Sequence, residues 1–187
     1  MKLVLASKSP RRSEILTNAG IDFTVRVADA DETIADGINP EDAVVILAAR
    51  KAKAVERAED EIVLGADTVV VLDGKILGKP RDREDAFNML KSLSGRTHSV
   101  FTGVCAMSDK GSITFAEETK VEFYQLTDDE INTYIDTKEC DDKAGAYGIQ
   151  GLASKFIKGI IGDYFNVVGL PISSVYKKIL KNTENFD

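Results

Sequence analysis

Glu61–Pro80 has the sequence EIVLGADTVVVLDGKILGKP, in which two apolar runs enclose a charged residue. The first run, Ile62–Leu64, predicts a buried strand, and the second, Val69–Val71, is rich in β-branched residues and predicts another. Between them, Gly65–Ala66 is too small to crowd a neighbouring backbone. Asp67 follows, and a carboxylate in such surroundings is costly to bury unless something pairs with it. The alternative is a turn aspartate that hydrogen-bonds its own backbone.

The end of this stretch carries two further signals. Asp73-Gly74 predicts the turn of a β-hairpin. Lys79, between Gly78 and Pro80, places a cation close to the same segment. A carboxylate and a cation on one short unit indicate a candidate site, and the rest of the chain supplies the context.

Length and composition limit the classes of protein that this chain can belong to. Its 187 residues, 43% of them hydrophobic, predict one domain with a real core, with or without a second lobe. The net charge of −7 argues against sequence-independent nucleic-acid binding but permits a local basic cluster for a small anion. Leu3–Ala6 is too short for a secretory segment, and no run approaches a membrane span. Cys105 and Cys140 lack metal or redox spacing, so we expect a cytoplasmic, soluble protein.

The N-terminal segment predicts a strand, Lys2–Ala6, that leads through SKSPRR into a helix ending at Ala19. Ser9 suits the N-cap and Pro10 the first helical position. Amide groups at a helix start attract anions, and the side chains of Ser7, Ser9, Arg11 and Arg12 add donors. This pattern predicts a phosphate-binding loop, although it has no Walker motif. The alternative is a capped helix with two exposed arginines.

The next segment combines acidic residues with a basic helix. A strand is predicted at Ile21–Val27, and the loop after it carries Asp29, Asp31 and Glu32, which can hold a divalent cation or can form a solvated acidic loop. Asn39-Pro40 begins a helix that runs to about Arg57. Lys51 lies beside its apolar stripe and can direct its ammonium inward, or it is an ordinary surface residue.

The second half of the chain predicts mostly antiparallel strands and short helices. His98 has no partner at catalytic-triad spacing, so a structural role is favoured. Gln150 lies in a glycine-rich loop, Asp142–Gly151, and its amide can both donate to and accept from a nucleobase. The predicted elements are a helix capped by Asp82 and ending at Leu93, strands at Thr97–Met107 and Ile113–Leu126, a helix from the capping box at Thr127 to about Thr137, a strand at Phe156–Ile161, a turn at Gly162–Tyr164 and a last helix from Leu170-Pro171 to near Lys181.

These elements predict an α/β fold with a twisted mixed sheet flanked by helices and a site in a groove. Cations beside carboxylates in one site suit a phosphate ester, a divalent metal ion and an activated water. That combination is the chemistry of phosphoanhydride hydrolysis.

Several segments together resemble the Maf-type nucleoside triphosphate pyrophosphatases. The matching segments, in family order and spacing, are LASKSPRR, GADTVVV, LGKPRD, LSGRTHSVFTGV, DKAGAYGIQG and VVGLP. The resemblance covers about residues 3–180 and implies one Maf-type domain, 1–187, with an elongated, inosine-triphosphatase-like (Maf/Ham1) fold and two lobes around a central cleft. It also implies a cytosolic enzyme, often a homodimer, that cleaves a nucleoside triphosphate into the monophosphate and pyrophosphate with Mg²⁺ or Mn²⁺.

The resemblance also assigns roles to residues. The AGAYGIQG loop is similar to that of the branch acting on dTTP and UTP, whereas the 7-methyl-GTP branch carries Glu near Gln150. Asp67 would accept the proton of the attacking water or bind the metal, and Glu32 would lie near the metal. The remaining residues match positions for base choice (Arg11, Thr68, Gln150) or for phosphate binding (Arg12, Lys51, Lys79).

Three alternatives remain open at this point. The family is linked to arrest of septum formation, so one alternative is a nucleotide-sensing division regulator without catalysis. Another is a phosphatase that removes the γ phosphate. The third is a pyrophosphatase of the 7-methyl-GTP type.

Overall fold

The computed structural model describes residues 2–35 and 37–181. The strands are β1 (Lys2–Leu5), β2 (Phe23–Val25), β3 (Glu61–Leu72), β4 (Lys75–Leu77), β5 (Thr97–Met107), β6 (Ser112–Phe123) and β7 (Ile157–Ile161). The α-helices are α1 (Pro10–Asn18), α2 (Pro40–Ala54), α3 (Arg83–Leu93), α4 (Asp128–Asp136), α5 (Tyr164–Val168) and α6 (Ile172–Val175). Short 3₁₀ helices occupy Ala144–Ala146 and Leu152–Phe156, and a π-helical turn at Tyr176–Leu180 extends α6.

The strands form one mixed sheet, which confirms the predicted fold class of a mixed sheet flanked by helices. Its order is β2-β1-β3-β5-β6-β7, and β4 pairs with β3 outside this path. β1 runs parallel to both β2 and β3, with Val4 opposite Thr24 on one side and Val63 on the other. β4 and β7 pair antiparallel with β3 and β6.

The prediction of two separate strands around Asp67 is wrong, because β3 continues without interruption from Glu61 to Leu72. Buried Ala66 and the small Gly65 let the strand pass directly under a helix, and a cation compensates the carboxylate, so the backbone has no reason to break. The predicted hairpin turn is confirmed. Asp73 and Gly74 have φ values of 52° and 76°, as a two-residue turn of this hand requires.

The other boundary differences are small, except near residue 164. The predicted strand 21–27 contracts to β2, and the helix predicted to reach Arg57 ends at Ala54. The turn predicted at 162–164 leads directly into a missed helix, α5. Its signal is Asp163, whose carboxylate accepts the amide of Phe165 at 2.8 Å in the manner of an N-cap.

The described residues form two compact units. The first comprises the described parts of 1–68, 102–117 and 169–187, and the second comprises 69–101 and 118–168. Buried residues of the first unit pack in one cluster: Val4, Ala6, Ala48, Ala52, Val55, Val63 and Cys105. The core of the second includes Leu90, Leu93, Phe123, Ile131, Tyr134 and Phe156. That the chain is one domain with two lobes around a cleft stays a prediction.

Two glycines bring helix α2 unusually close to the strands of the first unit. A Cβ added at Gly65 would overlap the carbonyl oxygen of Ala48 and lie 2.7 Å from the nitrogen of Ala52. A Cβ added at Gly103 would overlap the backbone of Val44. The helix backbone therefore contacts the sheet directly, and this close approach fixes where the side chains of α2 lie.

Candidate active site

Arg12 is a buried cation in the first turn of α1. Its side chain is only 8% exposed, so the alternative of an exposed arginine does not apply to it. Nε donates to the carbonyl of Gly169 at 2.8 Å, Nη1 to the hydroxyl of Ser7 at 3.0 Å and Nη2 to the hydroxyl of Thr68 at 3.2 Å. Burial lowers the pKa of Arg12, and the nearby charge of Asp67 opposes that shift.

The start of α1 has the predicted arrangement, with Ser9 at the N-cap and Pro10 at the first position. Within the described chain the hydroxyl of Ser9 caps no backbone amide, and its own amide donates to the hydroxyl of Ser7 at 3.2 Å. Ser7 thus accepts from both Ser9 and Arg12. A hydroxyl accepts two hydrogen bonds and donates one. Ser7 can therefore still donate one hydrogen bond to an anion. Arg11 is half-buried beside it.

A lysine joins two carboxylates in the same unit. Nζ of Lys51, on α2, lies 2.5 Å from Oδ1 of Asp67 and 2.8 Å from Oε1 of Glu32. The side chains of Lys51 and Asp67 are 18% and 14% exposed, whereas that of Glu32 is 62% exposed. The prediction that Lys51 directs its ammonium inward is confirmed. The same contact explains how Asp67 is accommodated on a buried strand.

The acidic loop does not converge on one point. Its three carboxylates contact three different cations: Asp29 contacts Lys8 at 3.5 Å, Asp31 contacts Arg50 at 3.5 Å, and Glu32 contacts Lys51. Hydrogen bonds from Thr33 to Asp31 lower the pKa of that carboxyl group. The loop alone is therefore not a metal site, and only Glu32 joins Asp67.

The donor set nevertheless fits a hard divalent cation in part. Within residues 2–35 and 37–181, no group of three or more His, Cys, Asp or Glu side chains could hold a metal ion. Glu32 and Asp67, however, already share one positive group, the ammonium of Lys51. Mg²⁺ is commonly held by one or two carboxylates, with phosphates and water completing its shell. Two carboxylates around a cationic position match that pattern.

Sequence reasoning missed two residues that support this centre. The hydroxyl of Thr68 lies 2.9 Å from that of fully buried Thr102, and Gly169 provides the carbonyl that accepts from Arg12. The available signal for Thr102 was a polar residue at the middle of an apolar strand. No local signal identifies Gly169, because its contact with Arg12 joins residues 157 apart in the sequence.

The two remaining predicted site residues, Lys79 and Gln150, belong to the second unit, and both side chains are exposed. Their segments contact each other through the backbone, since the amide of Gly145 donates to the carbonyl of Gly78 at 3.0 Å. The glycine-rich loop therefore lies against the residue that precedes Lys79.

His98 has the structural role that its isolation in the sequence predicted. Its ring is 3% exposed, packs edge-on against Phe123 and Tyr147, and its Nε2 lies 2.7 Å from the hydroxyl of Tyr147. Tyr147 is part of the glycine-rich loop, so this buried pair fixes the middle of that loop. Burial lowers the pKa of His98 to about 4 from an ordinary value of 6.5.

This pKa predicts a loss of stability in mild acid. In the unfolded chain His98 binds a proton below about pH 6.5, whereas in the folded chain it does so only below about pH 4. The free energy of unfolding should therefore fall by about 3 kcal/mol from this residue between pH 6.5 and 4. His98→Phe, which keeps a ring but cannot titrate, should show a shallower fall. Urea unfolding at a series of pH values checks this, and identical slopes for both proteins would contradict it.

Comparisons with known proteins identify the family of this chain. Residues 2–182 match the family described as Maf-like protein. A dTTP/UTP pyrophosphatase of Bacillus cytotoxicus is 51% identical over 179 residues, covering 95% of this chain and 94% of that protein. A dTTP/UTP pyrophosphatase of Bacillus cereus is 50% identical, again covering 95% of this chain and 94% of that protein. The structure of the Staphylococcus aureus Ham1 protein is similar at 16% identity and a TM-score of 0.46, covering 66% of this chain and 72% of that one. Because the family match and these identities extend over nearly the whole chain, the chain belongs to the Maf family.

Proposed function

We propose that this protein hydrolyses dTTP and UTP to the nucleoside monophosphate and pyrophosphate. The names of its relatives support the activity, since they are about half identical over nearly the whole chain. The observation that carries the proposal is the linked set of charges in the first unit. There, Lys51 joins Asp67 to Glu32, and the hydroxyl of Thr68, next in sequence to Asp67, accepts from buried Arg12.

We propose that the phosphate-binding groups of the first unit lie around the start of α1. Ser7 offers its hydroxyl proton, Ser9 a hydroxyl not used for capping, and Arg11 and Arg12 their positive charge. Buried Arg12 also fixes the hydroxyls of Ser7 and Thr68, so it orients neighbouring donors as well as providing charge. In the second unit, we propose that Lys79 binds phosphate. For base choice we propose Arg11, Thr68 and Gln150.

Asp67 is the residue to which we assign the chemical step. Its carboxylate can orient a water and accept the proton that the water loses as it attacks the α phosphorus. The contact with Lys51 holds one carboxylate oxygen in a fixed place, and Lys51 can balance negative charge on the phosphates. A role for Asp67 as a metal ligand is the alternative assignment.

A divalent cation, Mg²⁺ or Mn²⁺, would be held by Glu32 and Asp67. When bound, such an ion neutralises phosphate charge and makes a coordinated water more acidic. The ammonium of Lys51 and that ion would then both have to fit between the two carboxylates.

We infer that the enzyme acts in the cytoplasm. Cys105 and Cys140 are both free and buried, as is usual in a reducing compartment. Burial raises the pKa of each thiol to about 11, so both are poor nucleophiles at neutral pH. In the described part of the chain, no helix has the length and apolar character needed to cross a membrane.

One assay tests the proposed function against its rivals. The purified protein is incubated with dTTP or UTP, with and without Mg²⁺, and pyrophosphate and orthophosphate are measured separately. Stoichiometric pyrophosphate and monophosphate are expected. Orthophosphate alone would indicate removal of the γ phosphate, and binding without any release would indicate a nucleotide sensor.

Gln150→Glu is expected to change base preference more than stability. A carboxylate only accepts hydrogen bonds, whereas the amide both donates and accepts, so the relative kcat/KM values should shift about tenfold or more. Because Gln150 is exposed, the free energy of unfolding should change by less than about 0.5 kcal/mol. The check is kcat/KM for dTTP, UTP, CTP, GTP and 7-methyl-GTP. Gln125→Glu, the same change at another exposed position of the second unit, is the control. An unaltered ranking in Gln150→Glu would refute the role.

A further inference from the structure

We propose that Glu139 is a positioning residue for substrate selectivity, because its side chain fixes the loop segment that carries Gln150. The inference rests on the proposed function, in which Gln150 contacts the nucleobase. Glu139 lies in the turn that follows α4, immediately after Lys138, whose φ of 59° is unusual for a residue with a side chain. This conformation directs the chain back towards the glycine-rich loop.

The carboxylate of Glu139 joins the residue that follows that loop to helix α4, with one oxygen on each side. Oε2 accepts the amide of Leu152 at 2.9 Å, and Oε1 accepts the hydroxyl of Tyr134 at 3.1 Å. Burial, followed by the charge of Glu139, raises the pKa of Tyr134, so the phenol keeps its proton and remains the donor. At the near end of the loop, the ammonium of Lys143 donates to the backbone carbonyl of Glu139 at 2.5 Å.

The glycines on either side of Gln150 fit closely around these groups. A Cβ added at Gly151 would overlap the carboxylate of Glu139, and one added at Gly148 would lie 2.8 Å from Cε of Lys143. The backbone from 148 to 152 is therefore wrapped against Glu139 and Lys143, whereas the side chain of Gln150 is exposed. Ile149, beside it, is buried and adds a second point of attachment.

This arrangement matters for selectivity because an amide distinguishes bases only when its donor and acceptor keep a fixed orientation. A loop is a less precise platform than a helix or strand unless other residues support it. Glu139 gives this loop such support through one side chain, whose hydrogen bonds go to Leu152 and Tyr134 of the same unit. Its removal should therefore affect the choice of base and leave the chemistry of the phosphates largely intact.

The experiment measures kcat and KM for dTTP, UTP, CTP and GTP in Glu139→Ala. The preference for dTTP and UTP should fall about tenfold, mainly through a higher KM, while kcat for dTTP changes less than about threefold. Glu139→Gln should recover most of the preference, because its amide oxygen accepts from Leu152 while its N–H donates to the oxygen of Tyr134. Glu84→Ala, at an exposed helix position of the same unit, should change nothing.

A double-mutant cycle separates positioning from general destabilisation. If Glu139 acts through Gln150, Glu139→Ala should cause no further loss of preference in a Gln150→Ala background. Additive losses, or an unchanged preference in Glu139→Ala alone, would overturn the inference. Should Glu139→Ala fail to fold, Tyr134→Phe removes one of the two contacts, and a smaller loss in the same direction is expected.

Equilibrium binding of dTTP and CTP to the same variants keeps this inference distinct from the proposed function. A chain that binds dTTP but releases no pyrophosphate contradicts the proposed function, and its binding ratios still decide the role of Glu139. Normal pyrophosphate release with unaltered ratios in Glu139→Ala contradicts only the inference. A chain that binds neither nucleotide overturns both.

Discussion

Asp67→Asn is expected to lower kcat for pyrophosphate release by about 10²–10⁴-fold, the usual range for loss of a positioned general base. The amide keeps the shape of the side chain, and its oxygen can still accept from Lys51. It loses the negative charge needed to take a proton from water or to hold a cation. Stopped-assay measurement of pyrophosphate and dTMP from dTTP, with saturating Mg²⁺, gives the value of kcat.

The matched control for this variant is Asp128→Asn. Asp128 contacts Lys91 at 2.5 Å, the same separation as between Asp67 and Lys51, but the side chains of Lys91 and Asp128 are 49% and 61% exposed. Loss of one such exposed contact should leave kcat unchanged and cost at most about 1 kcal/mol of stability. Pyrophosphate release by Asp67→Asn within about threefold of the unaltered protein would remove Asp67 from the chemistry.

The sequence was most informative where local patterns decide structure. Asn39, Asp82 and Thr127 each cap the helix that their position predicted, and Asp73-Gly74 forms the predicted turn. These features depend on residues at most three apart, so they can be recognised directly in the sequence. The mixed sheet followed from the same local signals because strands alternate with helices in the first part of the chain.

The charged centre was only partly predictable, because its contacts join distant parts of the chain. The position of Lys51 beside an apolar stripe indicated that it could turn inward, but its partner Asp67 is 16 residues away on another element. Nothing local distinguishes Glu32, which joins the centre, from Asp31, which pairs with Arg50. Which of these two carboxylates joins the centre depends on how the loop meets α2 in the folded unit.

The continuity of β3 shows why the local interpretation of Asp67 failed. Gly65 and a charged residue are poor strand formers, so the pattern predicted a break between two apolar runs. The close approach of α2 outweighs the low strand propensity of these two residues. It requires a residue without a side chain at position 65, and it brings the ammonium that compensates Asp67. The two residues that weaken the strand signal are those that the helix contact needs.

Gly65→Ala is therefore expected to impair both folding stability and catalysis. The new methyl group would overlap the backbone of Ala48 and crowd that of Ala52, and a helix backbone cannot move aside as a flexible side chain can. Overpacking of this kind costs about 1–3 kcal/mol. If α2 shifts by about 1 Å to relieve the overlap, Lys51 moves with it relative to Asp67, and kcat should fall by about 10²-fold.

Gly159→Ala is the matched control for this substitution. Gly159 also lies within a strand, β7, but a Cβ there would meet no atom of the described chain within 4 Å. Urea unfolding and pyrophosphate release should therefore be nearly unchanged in Gly159→Ala and clearly reduced in Gly65→Ala. Activity should be compared at a temperature where both variants are folded, so that a lower kcat reports the displaced lysine. Full activity in a folded but destabilised Gly65→Ala would show that catalysis does not need α2 at its present distance, and the role given to Lys51 would then be wrong.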